Sequence, residues 1–317
     1  MRFSFTDRPL ATAALGAVCI ASSGVLVRLS SSSPVTVAVY RCLYALPVLG
    51  AITYLETRRF GALPQRTRNL AWIAGVFFAL DLVFWHNAID AVGAGLVTVL
   101  GNLQVLIVGF AAWAILGERP RRQLFWAIPV VLTGVVLISG AVGSDAYGAN
   151  PGLGVLYGAL TSLAYAAFIL VIREGSRDLR RIAGPLFHAT WSSALVAALY
   201  GAAAGGMEWA PSWPDHGWLV ALALSAQVAG WLLISLSLPR LPAAVTSIVL
   251  LLQPVGAMTI AWLALGESPG AAQLLGAVLI LAGVVVATSG SRKPTAAPDG
   301  PGAPAHEARA PHGAATP

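Results

Sequence analysis

Charge is scarce in this chain, and that shortage decides its broad class. Only 10% of the 317 residues are charged, whereas 57% are hydrophobic, and the mean hydropathy is +0.76. A soluble domain of this length could not bury so much apolar surface, and several apolar runs approach the roughly 20 residues that cross a bilayer. The composition therefore predicts an integral membrane protein rather than a soluble domain.

Cysteine is also sparse, and common catalytic motifs are missing. The two cysteines, Cys19 and Cys42, lie in apolar segments, where a small buried thiol packs as an apolar side chain. The patterns HExxH, GxSxG and GxxxxGK[ST] are absent, and no cluster of His, Cys and carboxylates has metal-ligand spacing. The sequence therefore predicts neither an enzyme nor direct ATP drive, and we expect no cofactor and no metal.

The basic residues lie in short segments between apolar runs, so the pI of about 9.8 does not indicate nucleic-acid binding. With the N-terminus placed inside, 17 of the 19 lysines and arginines fall in inner segments. The two exceptions are Arg28, at the outer end of the first apolar run, and Arg41, within the second. The positive-inside rule therefore predicts that both termini face the cytoplasm.

Ten apolar spans are predicted along the chain. They cover residues 10–29, 34–55, 70–90, 92–116 and 123–141, then 152–172, 184–204, 217–237, 242–265 and 271–289. Residues 1–9 form a cytoplasmic N-terminus in this interpretation. Residues 291–317 have no apolar periodicity, which predicts a disordered cytoplasmic tail.

The two halves of the chain repeat one pattern at a constant shift of 149 residues. The segments Leu103-Gln104, Leu116-Gly117-Glu118 and Gly134-Val135-Val136 recur as Leu252-Gln253, Leu265-Gly266-Glu267 and Gly283-Val284-Val285. Since each half has five spans, the second copy runs in the opposite direction to the first. The predicted fold is an all-α integral membrane protein with ten transmembrane helices in two inverted five-helix repeats, residues 10–141 and 152–289. Such inverted repeats are typical of secondary transporters.

Several short motifs carry a resemblance to a known family. They are Ser33-Pro34, Tyr40-Arg41, Leu116-Gly117-Glu118-Arg119, Gln253-Pro254, Leu265-Gly266-Glu267, Gln273-Leu274-Leu275-Gly276 and Gly283-Val284. Over roughly residues 10–290 the chain resembles the EamA-type members of the drug/metabolite transporter superfamily. Two positions depart from the family pattern: Val105 replaces an expected proline, and Trp126 or Ala127 stands where Gly276 matches it.

The resemblance implies a carrier in the bacterial inner membrane with both termini cytoplasmic. It also implies a central substrate cavity lined mainly by spans 1, 3, 4, 6, 8 and 9, and movement of small metabolites by alternating access. The expected partners are a small-molecule substrate, the lipid bilayer and a second copy of the chain in a homodimer, but not nucleic acid.

Asp81 is the strongest candidate for the transport path, because it falls near the middle of the third span among apolar residues. An ionised group there costs at least about 2.5 to 3.5 kcal/mol on insertion scales, so it must face a partner or a cavity. Its counterpart in the second repeat is Gly230. Two roles are open: contact with a substrate cation or coupling proton, or a buried pair with Arg41. Arg41 is itself either a structural or a path charge.

The predicted path also includes polar and aromatic residues on the span of Asp81 and on three further spans. Trp85 lies one turn beyond Asp81, where an indole either binds a cation or packs between helices. Gln227 and Trp231, with Ser235, form a stripe at a spacing of four residues that suits a cavity wall. Asn102, Gln104 and Gln253 either contact substrate or hydrogen-bond between helices.

The acids Glu118 and Glu267 precede Pro120 and Pro269, which begin the next spans in this interpretation. A carboxylate before a helix is stabilised by the helix dipole, so we expect a structural role for both. The sequence thus predicts a transporter, in the export direction, of small metabolites, amino acids or drug-like compounds. The alternative is a channel or a membrane scaffold that transports nothing.

Overall fold

The computed structural model describes residues 8–119, 122–138, 150–266 and 270–288. All regular structure within these ranges is helical. The α-helices are α1 Pro9–Ala21, α2 Ser23–Ser30, α3 Pro34–Phe60, α4 Gln65–Asn102, α5 Gln104–Leu116, α6 Arg122–Ile138, α7 Pro151–Gly175, α8 Ala183–Ala204, α9 Trp213–Leu222, α10 Trp231–Ser237, α11 Ala243–Val249, α12 Leu252–Leu265 and α13 Ala271–Thr288. A π-helical segment, Ala223–Gly230, joins α9 to α10, and a 3₁₀ turn, Leu238–Arg240, follows α10. The predicted tail, residues 291–317, and most of the N-terminus lie outside the described residues.

Six helical stretches are long and apolar enough to cross a membrane. They are Pro9–Ser30, Pro34–Phe60, Gln65–Trp85, Gly152–Gly175, Trp213–Arg240 and Ala243–Ala264. Three shorter apolar helices are Leu100–Leu116, Arg122–Leu137 and Ala271–Ala287. The all-helical fold and the number of such stretches are those of a multi-pass membrane protein.

Helix α4 reverses its direction near Ala91, although it is helical from Gln65 to Asn102. Thr161 of α7 donates a hydrogen bond of 3.5 Å to the Asp81 carbonyl, and a Cβ built on Gly101 would lie 3.6 Å from the Thr161 methyl group. Twenty residues of straight helix would separate Asp81 and Gly101 by about 30 Å. The two arms of α4 therefore lie side by side on α7, as two antiparallel passes.

Close to the boundary predicted between residues 90 and 92, the Asn150 N–H donates to the Ala91 carbonyl at 3.2 Å. The predicted fourth span, 92–116, is interrupted at Leu103, between α4 and α5. The ninth span, 242–265, is interrupted at Leu250 and Leu251, just before Leu252, which matches Leu103 at the shift of 149. Pro254 explains the second break, because its ring displaces the carbonyl four residues earlier.

The first and eighth spans also differ from the regular helices predicted for 10–29 and 217–237. The first is interrupted at Ser22, whose hydroxyl donates to the Cys19 carbonyl at 2.7 Å and lies 3.0 Å from the Ser225 hydroxyl. A serine hydroxyl bonded to its own helix competes with the backbone ladder and bends it. The eighth contains the π-helical segment, which carries Ser225 and Gln227.

Helices α6 and α13 pack together in a way that reproduces the sequence repeat. A Cβ built on Gly134 would lie 2.6 Å from the Gly276 carbonyl oxygen and 2.8 Å from Ile280. A Cβ built on Gly283 would lie 2.3 Å from Val131 and 3.4 Å from the Ala127 carbonyl oxygen. Residues 127, 131 and 134 match 276, 280 and 283 at the shift of 149. The contact is thus nearly self-complementary, as expected across a two-fold axis.

The same symmetry relates two other helix pairs. Helix α1 packs on the π-helical segment and α10, where a Cβ built on Gly16 would lie 3.0 Å from the Gly230 carbonyl oxygen. In the other repeat α7 packs on α4, and Tyr165 and Asp81 occupy the positions equivalent to Gly16 and Gly230. Two glycines therefore close one contact, whereas the equivalent contact carries an acid and a phenol.

Candidate functional site

A buried chain of polar side chains joins the two repeats in the middle of the bundle. Arg41 of α3 donates from Nη2 to Oε1 of Gln227 at 3.1 Å, and Gln227 donates from Nε2 to the Thr190 hydroxyl of α8 at 3.1 Å. Arg41 is 8% exposed, and its Nε atom has no hydrogen-bond partner among the residues that the structure describes. The guanidinium carbon lies 5.6 Å from the centre of the Phe78 ring. A ring face and one amide thus stabilise this charge.

These four residues are related by the repeat itself. At the shift of 149, Arg41 matches Thr190, and Phe78 matches Gln227. The structure therefore places the polar chain on the axis that relates the two halves. Sequence reasoning missed Thr190, although applying the same shift to Arg41 points directly to it.

Asp81 lies one turn after Phe78 on α4, so its carboxylate is near the Arg41 guanidinium and the two groups attract each other. Among the described residues, however, no ion pair within 4 Å joins them, and no described side chain or backbone N–H donates a hydrogen bond to the carboxylate. The direct Asp81–Arg41 pair, one of the two predicted roles, is therefore not formed in this structure. The acid is half-buried rather than sealed.

Aromatic rings form the wall next to these charges. The Trp231 ring lies 4.7 Å from the Phe168 ring, 5.8 Å from the Phe78 ring and 6.3 Å from the Tyr165 ring, centre to centre. Trp231 is 1% exposed, and within the described part of the chain neither its Nε1–H nor the buried Ser235 hydroxyl has a hydrogen-bond partner. Buried donors without partners are rare because each costs about 1–3 kcal/mol. Phe168 was not predicted, since a phenylalanine in an apolar helix gives no signal.

The two glutamines of the repeated Leu-Gln lie in different surroundings. Gln253 is partly exposed and donates from Nε2 to the Tyr165 hydroxyl at 3.4 Å, which places it at the edge of the aromatic wall. Gln104 is 1% exposed and donates to the Ser247 carbonyl at 3.4 Å, between α5 and α11. Gln253 therefore lies beside the polar cluster, whereas Gln104 lies in a helix contact away from it.

The remaining predicted path residues lie further out. Trp85 packs with Tyr157 against Ala88 and Ala91, near the start of α7. Asn102 is the last residue of α4, just before the break at Leu103. The packing position of Trp85 is the alternative that the sequence left open for it.

Glu118 binds a helix N-terminus, as a structural acid would, but the helix is not the one predicted from the sequence. It binds the N-terminus of α11, not that of the helix after Pro120: Oε2 accepts the Ala243 N–H at 2.9 Å. Its other oxygen lies 2.6 Å from Nη2 of Arg173. The sequence could not show this pairing because the three residues are far apart in the chain. Glu267 lies outside the described residues.

Two grooves lie at the predicted outer end of the bundle. One, of about 610 Å³, is lined by Trp213, Pro214, Gly217, Trp218 and Ala221. The other, of about 500 Å³, lies between α2, α9 and α12 and is lined by Ser22, Val25, Leu26, Leu29, Trp218, Ala221, Ser225, Ile260 and Ala264. The first is an exposed tryptophan surface typical of a membrane interface, so the buried charges rather than the larger groove mark the candidate site. No group of three or more His, Cys, Asp or Glu within the described part of the chain could hold a metal.

Comparisons with known proteins agree with this architecture. The sequence model of the EamA-like transporter family matches residues 8–140 and, separately, residues 152–289. A solved structure titled "Crystal structure of protein" has a TM-score of 0.75 to this chain, with 18% identity, and the match covers 89% of this chain and 98% of that one. At this identity the likeness concerns the fold alone. The comparison with curated proteins gives no match.

Proposed function

Since the chain belongs to the EamA-like transporter family, we propose that it is a secondary transporter that exports small metabolites, amino acids or drug-like compounds by alternating access. In this proposal it crosses the membrane ten times, as inverted five-helix repeats over residues 10–141 and 152–289. The two separate family matches, the reversal of α4 and the self-complementary α6–α13 contact support this threading.

The proposed membrane is the bacterial inner membrane, with residues 1–9 and 291–317 on the cytoplasmic side. The distribution of arginine supports this orientation. The loop after α3 and the loop after α7 lie together, because Arg181 donates to the Ala62 carbonyl at 2.8 Å. Arg58, Arg59, Arg66 and Arg68 flank the first loop, and Arg177, Arg180 and Arg181 lie in the second, so this end of the bundle is strongly basic.

The observation that carries the transport proposal is the half-buried Asp81 carboxylate, which lacks a hydrogen-bonded partner among the described residues. An acid in a transmembrane helix is costly, and it is usually kept for a substrate or a proton. It lies at the contact between the two repeats, where carriers of this architecture bind their substrates.

The surroundings of Asp81 define what the substrate offers. The carboxylate needs a cation or a proton, and Arg41 Nε and Trp231 Nε1 are donors that need an acceptor. The rings of Trp231 and Tyr165 meet edge to face and provide an aromatic, largely apolar wall. A small compound with an amine, an acceptor group and an apolar or aromatic body satisfies all of these, and amino acids and many cationic drugs have this form.

The test is a competition screen in proteoliposomes that contain the purified protein. Uptake of a labelled amino acid or cationic drug is measured against unlabelled competitors, with and without a pH gradient. The proposal predicts uptake that saturates and that amine-bearing aromatic compounds inhibit. Uptake that rises linearly with concentration would indicate a channel, and a folded protein that moves none of these compounds would indicate a scaffold.

A further inference from the structure

One end of the bundle is tied across the two repeats by a compact ionic cluster. Arg173, near the end of α7, donates from Nε to the Leu238 carbonyl at 3.0 Å and from Nη2 to the Leu241 carbonyl at 3.1 Å. The same Nη2 lies 2.6 Å from Oε1 of Glu118. Glu118 in turn accepts the Ala243 N–H at 2.9 Å. We call Glu118, Arg173 and the connection Leu238–Ala243 the inner clamp.

The inner clamp joins three elements that would have to separate if this end opened. Glu118 follows α5 of the first repeat, whereas Arg173 and Ala243 belong to the second. Both charged side chains are largely buried, with exposures of 28% and 16%, so solvent weakens their attraction less than at an open surface. Separation of the two repeats at this end would break both bonds of Glu118 and leave its carboxylate without these partners.

The repeat does not reproduce the arginine of the clamp. At the shift of 149 the counterpart of Arg173 is Gly24, and no described atom lies within 4 Å of a Cβ built there. A glycine has no side chain that could donate to a carboxylate or to carbonyls, so the bonds of Arg173 belong to the clamp end alone among these two positions.

The burial of side chains also differs between the two ends of the bundle. Every residue of α11, next to the inner clamp, is buried, and so is Gln104. Its counterpart Gln253 is partly exposed, and the groove between α2, α9 and α12 lies at the outer end. The structure is therefore closed at the clamp end and looser at the other.

A second set of hydrogen bonds joins the two repeats at both ends of the bundle, so it does not hold one end closed more than the other. At the outer end the Ser33 hydroxyl donates to the Gly206 carbonyl at 2.6 Å and the Tyr40 hydroxyl donates to the Trp209 carbonyl at 2.7 Å. At the inner end Glu56 accepts the N–H groups of residues 182–184 at 2.9 to 3.0 Å. Because α3 is bound at both ends, it is a fixed support rather than a gate.

We propose that Glu118 and Arg173 form the gate at the cytoplasmic end. The proposal rests on the carrier function and on the orientation proposed above. The clamp holds the inner end closed while the outer end admits or releases substrate. Transport requires that Glu118 leave both Arg173 and the N–H of Ala243.

The test measures access to the clamp end without using transport. Cys19 and Cys42 are replaced by alanine, and Ser247→Cys, a fully buried position between α11 and α5, serves as the reporter. A membrane-impermeant maleimide is added to inside-out vesicles, and the labelling rate is compared with and without Arg173→Gln or Glu118→Gln. Both changes should raise the rate about tenfold or more, since bonds to charged groups are lost.

Asp178→Asn is the matched control. Asp178 forms an ion pair of 3.0 Å with Arg180, at the same end but within one loop. The hydrogen bond from Arg180 lowers the pKa of the Asp178 carboxyl, so this acid is charged at neutral pH. Its loss should leave the labelling rate unchanged.

Unchanged labelling in folded Arg173→Gln and Glu118→Gln variants would overturn the gate, as would an equal increase in Asp178→Asn. If Arg173→Gln does not fold, Arg173→Lys keeps the charge with fewer donors and should give an intermediate rate. Failure of the wild-type protein to transport would overturn the carrier function instead. Normal transport with unchanged labelling would overturn only the gate.

Discussion

Arg41 is a buried charge with few protein partners. Among the described residues its guanidinium donates one hydrogen bond, to Gln227, and lies over one ring, that of Phe78. Its counterpart in the repeat, Thr190, completes the polar chain from the other half. The buried Nε has no hydrogen-bond partner among these residues, so in the proposed function it is a donor for a substrate beside Asp81.

The hydrogen bond between Arg41 and Gln227 can be removed by Gln227→Leu. This change leaves a buried guanidinium without its amide partner, which should cost about 1.5–3 kcal/mol in stability. The measurement is the melting temperature of the detergent-solubilised protein. Gln65→Leu, at the exposed start of α4, is the control and should change stability by less than about 0.5 kcal/mol. A stable Gln227→Leu protein would show that Arg41 does not depend on this bond.

The unpartnered N–H of Trp231 is tested by Trp231→Phe, which keeps a ring against Phe168 but removes the donor. If the N–H binds substrate, the half-saturation concentration should rise about tenfold, as expected for one hydrogen bond of 1–1.5 kcal/mol. Stability should change little, because the lost ring volume and the lost unpaired donor act in opposite directions. Trp85→Phe is the control, because Trp85 of α4 packs beside the start of α7. This change should leave the half-saturation concentration unchanged.

At this scale the sequence indicated charges, amides and tryptophans, but not every ring. Asp81, Gln227 and Trp231 were visible because polar side chains interrupt apolar helices. Phe168 was not, because a phenylalanine at helical spacing is an ordinary core residue until its neighbours are known.

Among the elements, α6 and α13 give the clearest physical form of the repeat. Gly134 and Gly283 each face a backbone or β-branched neighbour so closely that a methyl group does not fit. Gly134→Ala and Gly283→Ala should therefore each destabilise the protein, by about 1–3 kcal/mol, through overpacking.

Gly109→Ala is the control for this pair, since it lies inside α5 with nothing within 4 Å of the added carbon. Alanine is the better helix former, so this change should raise stability by about 0.5–1 kcal/mol. Thermal melting of the three variants would show whether Gly134 and Gly283 lie too close to their neighbours for an added methyl group. Equal behaviour of all three would contradict a close α6–α13 contact.

The helical and apolar character of the elements was predictable from the sequence, but their regularity was not. The length of the apolar runs predicts where the helices lie in the sequence, and the 149-residue repeat predicts which helices are equivalent. The π-helical segment and the break at Ser22 depend on contacts between distant residues, such as the hydroxyl pair of Ser22 and Ser225. No local pattern could show them.

For the whole molecule, the proposed threading makes a prediction about sidedness. In a background without Cys19 and Cys42, the exposed positions Ala62 and Arg177 should react with an impermeant label only from the cytoplasm once changed to cysteine. Ser212→Cys, in the connection after α8, should react only from outside. Labelling of the Ala62→Cys variant in intact cells would contradict the orientation.

The overall architecture was the part of this protein most accessible from sequence. Two matched repeats, an odd number of spans in each and a one-sided arginine distribution require no three-dimensional information. The inner clamp was not accessible in this way, because Glu118, Arg173 and Ala243 meet only when the helices are packed.

The central claim is that transport depends on the Asp81 carboxylate at the repeat interface. Its direct test is saturable uptake in proteoliposomes by four proteins, namely the wild type, Asp81→Asn, Arg41→Gln and the double variant, each with its melting temperature. We expect the Asp81→Asn protein to melt close to the wild type, because a neutral amide costs less free energy to bury than a carboxylate. We expect its uptake to fall at least about tenfold. A lower melting temperature that Arg41→Gln restores would show a structural pair instead. Full uptake by a stable Asp81→Asn protein would contradict the account.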